Sequence, residues 1–99
     1  GEEGALGCCG LKALPDGAAE IKRLFVREKF RGAGVGKALA EAVLAQAEAH
    51  GRYSVVKLDT LERLAGVCEL YRGLGFTHCP PYVPNPMPDA VFMHRSLPR

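Results

Sequence analysis

No apolar run in the sequence approaches the ~20 residues needed to span a bilayer as a helix. Residues 1–10 also lack the basic start and longer apolar stretch of a signal peptide. The sequence therefore reads as cytosolic. Neither sign of charge dominates: thirteen Lys+Arg stand against eleven Asp+Glu, a formal charge of +2, too small and too dispersed to attract nucleic acid or a membrane by field alone. The cysteines are Cys8, Cys9, Cys68 and Cys79, and their spacing forms neither a zinc knuckle nor a C-x-x-C redox pair. His50, His78 and His94 have no H-x-x-x-H or H-E-x-x-H spacing. No metal is assigned. Internal repeats and low-complexity segments are absent as well.

What is present is the make-up of one folded domain, assigned to 1–99. Apolar residues are 47% of the chain and charged residues 24%, a balance that favours a core over disorder. A domain this short buries only about 60–65% of the surface its unfolded chain exposes, so dimerisation is expected. The apolar stretch Ala5–Leu14 runs into Pro15-Asp16-Gly17, a strong turn signal, and reads as a strand entering a hairpin with Ala19–Val26. In the second strand apolarity gathers toward Val26, which predicts burial at that end. From Val35 the residues Val35, Ala38, Leu39, Ala42, Val43 and Gln46/Ala47 recur at helical spacing, giving a helix Gly34–His50 stopped by Gly51. Tyr53–Thr60 suits a buried strand. A second helix, about Glu62–Leu74, places Leu64, Val67, Cys68 and Tyr71 on one face and ends at Gly75. Prolines 80, 81, 84, 86 and 88 then force an irregular loop before a last strand, Ala90–Leu97. A short strand after Phe76 completes the order ββαβαββ, an α/β (α+β layered) domain.

The most specific segment is Arg31-Gly32-Ala33-Gly34-Val35-Gly36-Lys37, between a strand and a helix start. A Walker A loop fails here, because Arg31 holds the first glycine position and Ala38 replaces the Ser/Thr that would hold magnesium. A dinucleotide fingerprint fails too, because Lys37 holds the third required glycine position. What remains is R-x-x-G-x-G, met by Arg31, Gly34 and Gly36. Small residues there let main-chain N–H groups approach an anion such as a pyrophosphate at the positive end of a helix. The plainer alternative is close packing at a helix start.

Two stretches in order resemble the GNAT (GCN5-related N-acetyltransferase) family. Residues 20–39, E-I-K-R-L-F-V-R-E-K-F-R-G-A-G-V-G-K-A-L, resemble its contiguous strand, pyrophosphate loop and helix. Leu70-Tyr71-Arg72-Gly73-Leu74-Gly75-Phe76 resembles its L-Y-x-x-L-G-F signature. The tail from Tyr82 to Met93 is similar to a bacterial subgroup carrying Y-x-x-N-P-x-x-x-A-x-F-M. The resemblance implies a GNAT-like mixed sheet and an acetyl-CoA-binding core that lacks the usual amino-terminal strand and helices. It implies acetyl transfer from acetyl-CoA to a primary amine of a small molecule or peptide, by direct attack. By the same resemblance, the backbone of Leu24, Phe25 and Val26 would pair with the pantetheine arm. The amides of Arg31, Gly32, Ala33, Gly34, Val35, Gly36 and Lys37 would hold the pyrophosphate. Tyr71 would be the general acid for the thiolate, or else a packed core tyrosine. Glu20 would be the base, acting through water, or else a solvated strand glutamate. Asp59 is a second carboxylate near the cleft, unless Asp59 or Thr60 only caps the second helix. Cys68 reads as packing. A non-catalytic acyl-CoA-binding or assembly module is the alternative function.

Overall fold

Pro15 fixes its own φ and starts a single 3-10 turn in which Asp16 (φ 64°) and Gly17 (φ 77°) both adopt the left-handed region. Glycine enters that region freely and aspartate tolerates it, so the chain reverses here. In the computed structural model, which describes the backbone over 7–26 and 35–98 and the side chains over 10–22 and 36–98, this turn joins β1 (Gly7–Ala13) to β2 (Ala18–Val26). The strands pair antiparallel from Ala13↔Ala19 to Gly7↔Val26, with a register shift between Cys8 and Gly10. After β2 come α1 (Val35–His50), β3 (Val55–Leu61), α2 (Ala65–Gly73), the two-residue β4 (Thr77–His78) and β5 (Ala90–Ser96). The order predicted from the sequence is the order found.

The strands form one mixed sheet in the order β1-β2-β3-β5-β4. β3 lies parallel to β2 and antiparallel to β5. Alternation then divides the side chains between two faces. Ala19, Ile21, Val56, Leu58 and Met93 share one face and are buried against both helices, in a core with Ala40, Val43, Leu44, Ala47, Tyr71, Phe76 and Leu97. Glu20, Lys22, Lys57, Asp59, Phe92 and His94 occupy the other face by the same alternation and register. The segment between β4 and β5 reaches two of them, Glu20 and Asp59, by side-chain hydrogen bonds.

Two details differ from the sequence reading. The buried stripe of α1 is Ala40, Val43, Leu44 and Ala47, while Ala38 and Ala42 are exposed. Alanines on both sides of this helix made two stripes look alike, and Leu44 decides between them because its burial is worth the most. α2 begins at Ala65, not Glu62, because residues 61–64 form a separate turn closed by Leu64 N–H to Leu61 O (2.9 Å). Leu64 therefore leaves the buried face and is 44% exposed. In β2 the opening residues, Ala18 to Ile21, are buried; the burial expected toward Val26 falls on side chains 23–26, which lie outside the described residues. No helix among the described residues is long and apolar enough to cross a membrane.

Candidate active site

β2 and β3 pair over only three positions, Ala18↔Val55, Ala19↔Val56 and Glu20↔Lys57. Beyond them β2 runs on to Val26 and β3 to Leu61, and β3 keeps its ladder to β5 along its whole length. The two parallel strands therefore part after Glu20 and Lys57, and among the described residues the β3-facing backbone groups of the rest of β2 have no ladder partner there. An opening of this kind at the carboxyl ends of parallel strands is where layered α/β domains admit ligands. Gly36 and Lys37 lie in the first turn of α1, the helix that follows β2.

At the point of parting stands Glu20, 1% exposed and the one buried charged side chain among the described residues. A carboxylate taken out of water needs donors. Tyr82 supplies one, donating its hydroxyl proton to Oε2 at 2.6 Å. Lys22 supplies the other, its Nζ 3.4 Å from Oε1. The tyrosine ring meets Phe92 edge-on at 5.7 Å, and Lys57 Nζ lies 5.2 Å from its centroid. Burial, then the bond to Glu20 and its negative charge, push the Tyr82 phenol far above its ordinary value. It is a neutral donor throughout the working pH range.

Asp59 takes part in the same arrangement from β3, its Oδ2 accepting Asn85 Nδ2 at 2.9 Å. The segment 79–89 is thus tied to both parted strands, to β2 through Tyr82 and to β3 through Asn85. Its ends are fixed too: Cys79 N–H donates to Phe92 O (2.8 Å), and Glu62 N–H donates to Asp89 O (2.8 Å). Burial raises the Cys79 thiol while Lys57 opposes the rise.

The sequence candidates fall into groups. Glu20 is at the opening and is buried, not solvated. Asp59 does not cap α2, whose flanking Leu64 has no side-chain cap; it anchors Asn85. Tyr71 is 3% exposed in the helix-side core with Phe76 edge-on at 5.3 Å, so it and Glu20 belong to opposite sides of the sheet. Cys68 is buried and its Sγ lies 3.6 Å from Leu61 O, as packing predicts. Leu24, Phe25, Val26 and Val35 are described only in backbone, and Arg31, Gly32, Ala33 and Gly34 lie outside the described residues. No group of three potential metal ligands occurs among the described residues. Sequence reasoning gave no role to Tyr82 or Asn85. Their signal was the Y-x-x-N-P element, whose partners are 62 and 26 residues away along the chain.

Comparison with known proteins places this geometry in a family. The model of the acetyltransferase (GNAT) family matches residues 1–76. An uncharacterized N-acetyltransferase of Schizosaccharomyces pombe is 37% identical over 94 residues, covering 94% of this chain and 57% of its own length. A Klebsiella pneumoniae structure described as an acyl-CoA N-acyltransferase superposes with TM-score 0.84 at 28% identity, over 94% of this chain and 64% of its own. A Bacillus subtilis acetyltransferase solved in complex with CoA superposes with TM-score 0.81 at 19% identity, over 98% of this chain and 72% of its own. The chain thus spans somewhat over half the length of the fission-yeast relative. With its family match, its mixed five-stranded sheet and its parted parallel strands, the chain belongs to the GNAT acetyltransferase family.

Proposed function

We propose that this domain binds acetyl-CoA and transfers its acetyl group to a primary amine of a small molecule or peptide, by direct attack. The observation that carries the reading is the parting of β2 from β3 immediately beyond the buried Glu20. Glu20 and Tyr71 lie on opposite sides of the sheet, and only a gap between strands lets groups on both sides reach one bound thioester. The residues present suit the donor. The unpaired edge of Leu24–Val26 is available to hydrogen-bond an amide-bearing arm, and Gly36 leaves the first turn of α1 open to close approach. The amides of Arg31–Lys37 would hold the pyrophosphate, with Lys37 adding charge. Acetyl-CoA supplies an activated acyl group, so no covalent enzyme intermediate is needed.

The chain's own residues then have two proton tasks. Alkyl amines are protonated at neutral pH, with pKa near 10.4 for lysine-like ammonium groups, so a base must take a proton before the nitrogen lone pair is free. Glu20 is assigned that role. Tyr71 is assigned the delivery of a proton to the departing thiolate. Association through β1, an outer strand of the described sheet, would give the expected homodimer, and monomeric sedimentation at all concentrations would refute that part.

The test is release of free thiol from acetyl-CoA in the presence of small amines, amino acids and peptides, above the rate without acceptor. Binding of acetyl-CoA without any such release would favour a non-catalytic acyl-CoA-binding module. Replacing Gly34 by a bulky residue should weaken acetyl-CoA binding in calorimetry, and unchanged affinity would remove the pyrophosphate assignment.

A further inference from the structure

Glu20 as it stands cannot receive a proton from an acceptor directly. Its side chain is 1% exposed, Oε2 is taken by the Tyr82 hydroxyl at 2.6 Å, and Oε1 faces Lys22 Nζ at 3.4 Å. Burial, rather than any shortage of lone pairs, is what keeps an acceptor away from this carboxylate. Tyr82, by contrast, is only half-buried, and its oxygen keeps lone-pair capacity after donating its proton.

We propose that Tyr82 is the relay through which the acceptor ammonium loses its proton to Glu20. This rests on the acyl-transfer reading above. In the step, an N–H proton of the ammonium passes to the Tyr82 oxygen as the Tyr82 hydroxyl proton passes to Glu20 Oε2. The tyrosine is neutral before and after, and Glu20 becomes the neutral acid, later returning its proton to solvent. The freed lone pair attacks the thioester carbonyl, the C–N bond forms, the C–S bond breaks, and the thiolate takes the second nitrogen proton, by way of Tyr71.

The surroundings suit a relay rather than a standing base. The phenol is held neutral by burial, by its bond to Glu20 and by the nearby charges of Glu20 and Asp59, so its proton must leave and be replaced in one concerted movement. The position of the hydroxyl is fixed from several directions. Phe92 packs on the ring, Lys57 faces it, Asn85 ties the segment to Asp59, and the Cys79 N–H ties its start to β5. The Y-x-x-N-P element then has a physical meaning: the tyrosine carries protons and the asparagine holds the tyrosine in place.

The experiment uses two probe nucleophiles at neutral pH, ethylamine, which is an ammonium ion there, and hydroxylamine, which is already unprotonated. Thiol release from acetyl-CoA is measured for the wild type, Tyr82→Phe, Glu20→Gln and the double variant, at a temperature where circular dichroism shows each folded. With ethylamine, each single variant should lose on the order of 10²-fold, the usual scale of one general-base contribution. The double variant should be no worse than the singles, because both interrupt one path. With hydroxylamine all four should agree within about threefold, since no proton need be removed before attack. Acetyl-CoA affinity by calorimetry should be unchanged in Tyr82→Phe. A wild-type ethylamine rate in Tyr82→Phe would overturn the relay, as would equal losses with both nucleophiles, multiplicative losses in the double variant, or lost acetyl-CoA affinity. Wild-type protein that binds acetyl-CoA yet releases thiol with neither nucleophile would instead overturn the catalytic reading beneath it.

Discussion

Tyr82→Phe should cost the fold about 2 kcal/mol, the middle of the range for a hydrogen bond to a charged group. The substitution keeps the ring, and with it the edge-on contact with Phe92 and the facing Lys57 ammonium, so almost nothing but the hydroxyl changes. What it leaves is a carboxylate 1% exposed with Oε2 lacking its donor. Lys22 offers little compensation: its side chain is 45% exposed, and a pair so open to water contributes at most about 1 kcal/mol. For a domain of roughly 100 residues, 1 kcal/mol corresponds to about 4–8 °C in the midpoint; the loss should therefore appear as a drop of roughly 8–16 °C. Urea unfolding followed by circular dichroism should show a lower midpoint with unchanged slope. A change below about 0.5 kcal/mol, the usual scatter of surface substitutions, would show that the hydroxyl is not bonded to Glu20 in solution.

Base should act on the same contact. The Tyr82 phenol is raised in the folded state relative to its ordinary value of 10.0, so the stability it lends is complete below about pH 10 and falls as pH climbs above that. Tyr82→Phe should lack that loss, and pH titration of the urea midpoint for both proteins checks it. Leu58→Ala removes a 2% exposed side chain from the centre of the sheet and should cost about 3 kcal/mol, read by the same unfolding curves. Gly75→Ala should cost about 1–2 kcal/mol: the residue has φ 95°, and an added Cβ would lie 3.4 Å from Arg95 Nε. A variant at Gly75 as stable as the wild type would refute the assigned backbone conformation.

The parts of the fold written in short-range chemistry were legible in the sequence. Pro15-Asp16-Gly17 announced the hairpin, Gly51 and Gly75 announced two helix ends, and the observed positive φ values at Asp16, Gly17, Gly51 and Gly75 agree with those signals. The less legible parts depend on partners distant in sequence. Alanine on several faces of α1 left its orientation open until Leu44 met the sheet. Leu64 fits the helical period of α2, but the Glu62 N–H bonds to Asp89 O, 27 residues on, and the helix starts later. Glu20 could be read as a base or as a surface residue because a lone strand glutamate has no local signature. Its hydrogen-bond partner is Tyr82, a residue on a loop whose prolines advertise irregularity and nothing about direction.

Those prolines carry a consequence for how the domain can change over time. Positions 80, 81, 84, 86 and 88 have no main-chain donor to give a sheet ladder, and much of the segment's freedom is gone before folding begins. Its grip on the two parted strands comes from side chains, Tyr82 on one and Asn85 on the other. Exchanging those side chains would alter the groups presented beside Glu20 and Asp59 while the ladder of β2, β3 and β5 stays as it is. On the proposed reading, the groups that hold the donor and those that meet the acceptor would then sit in separable pieces of chain.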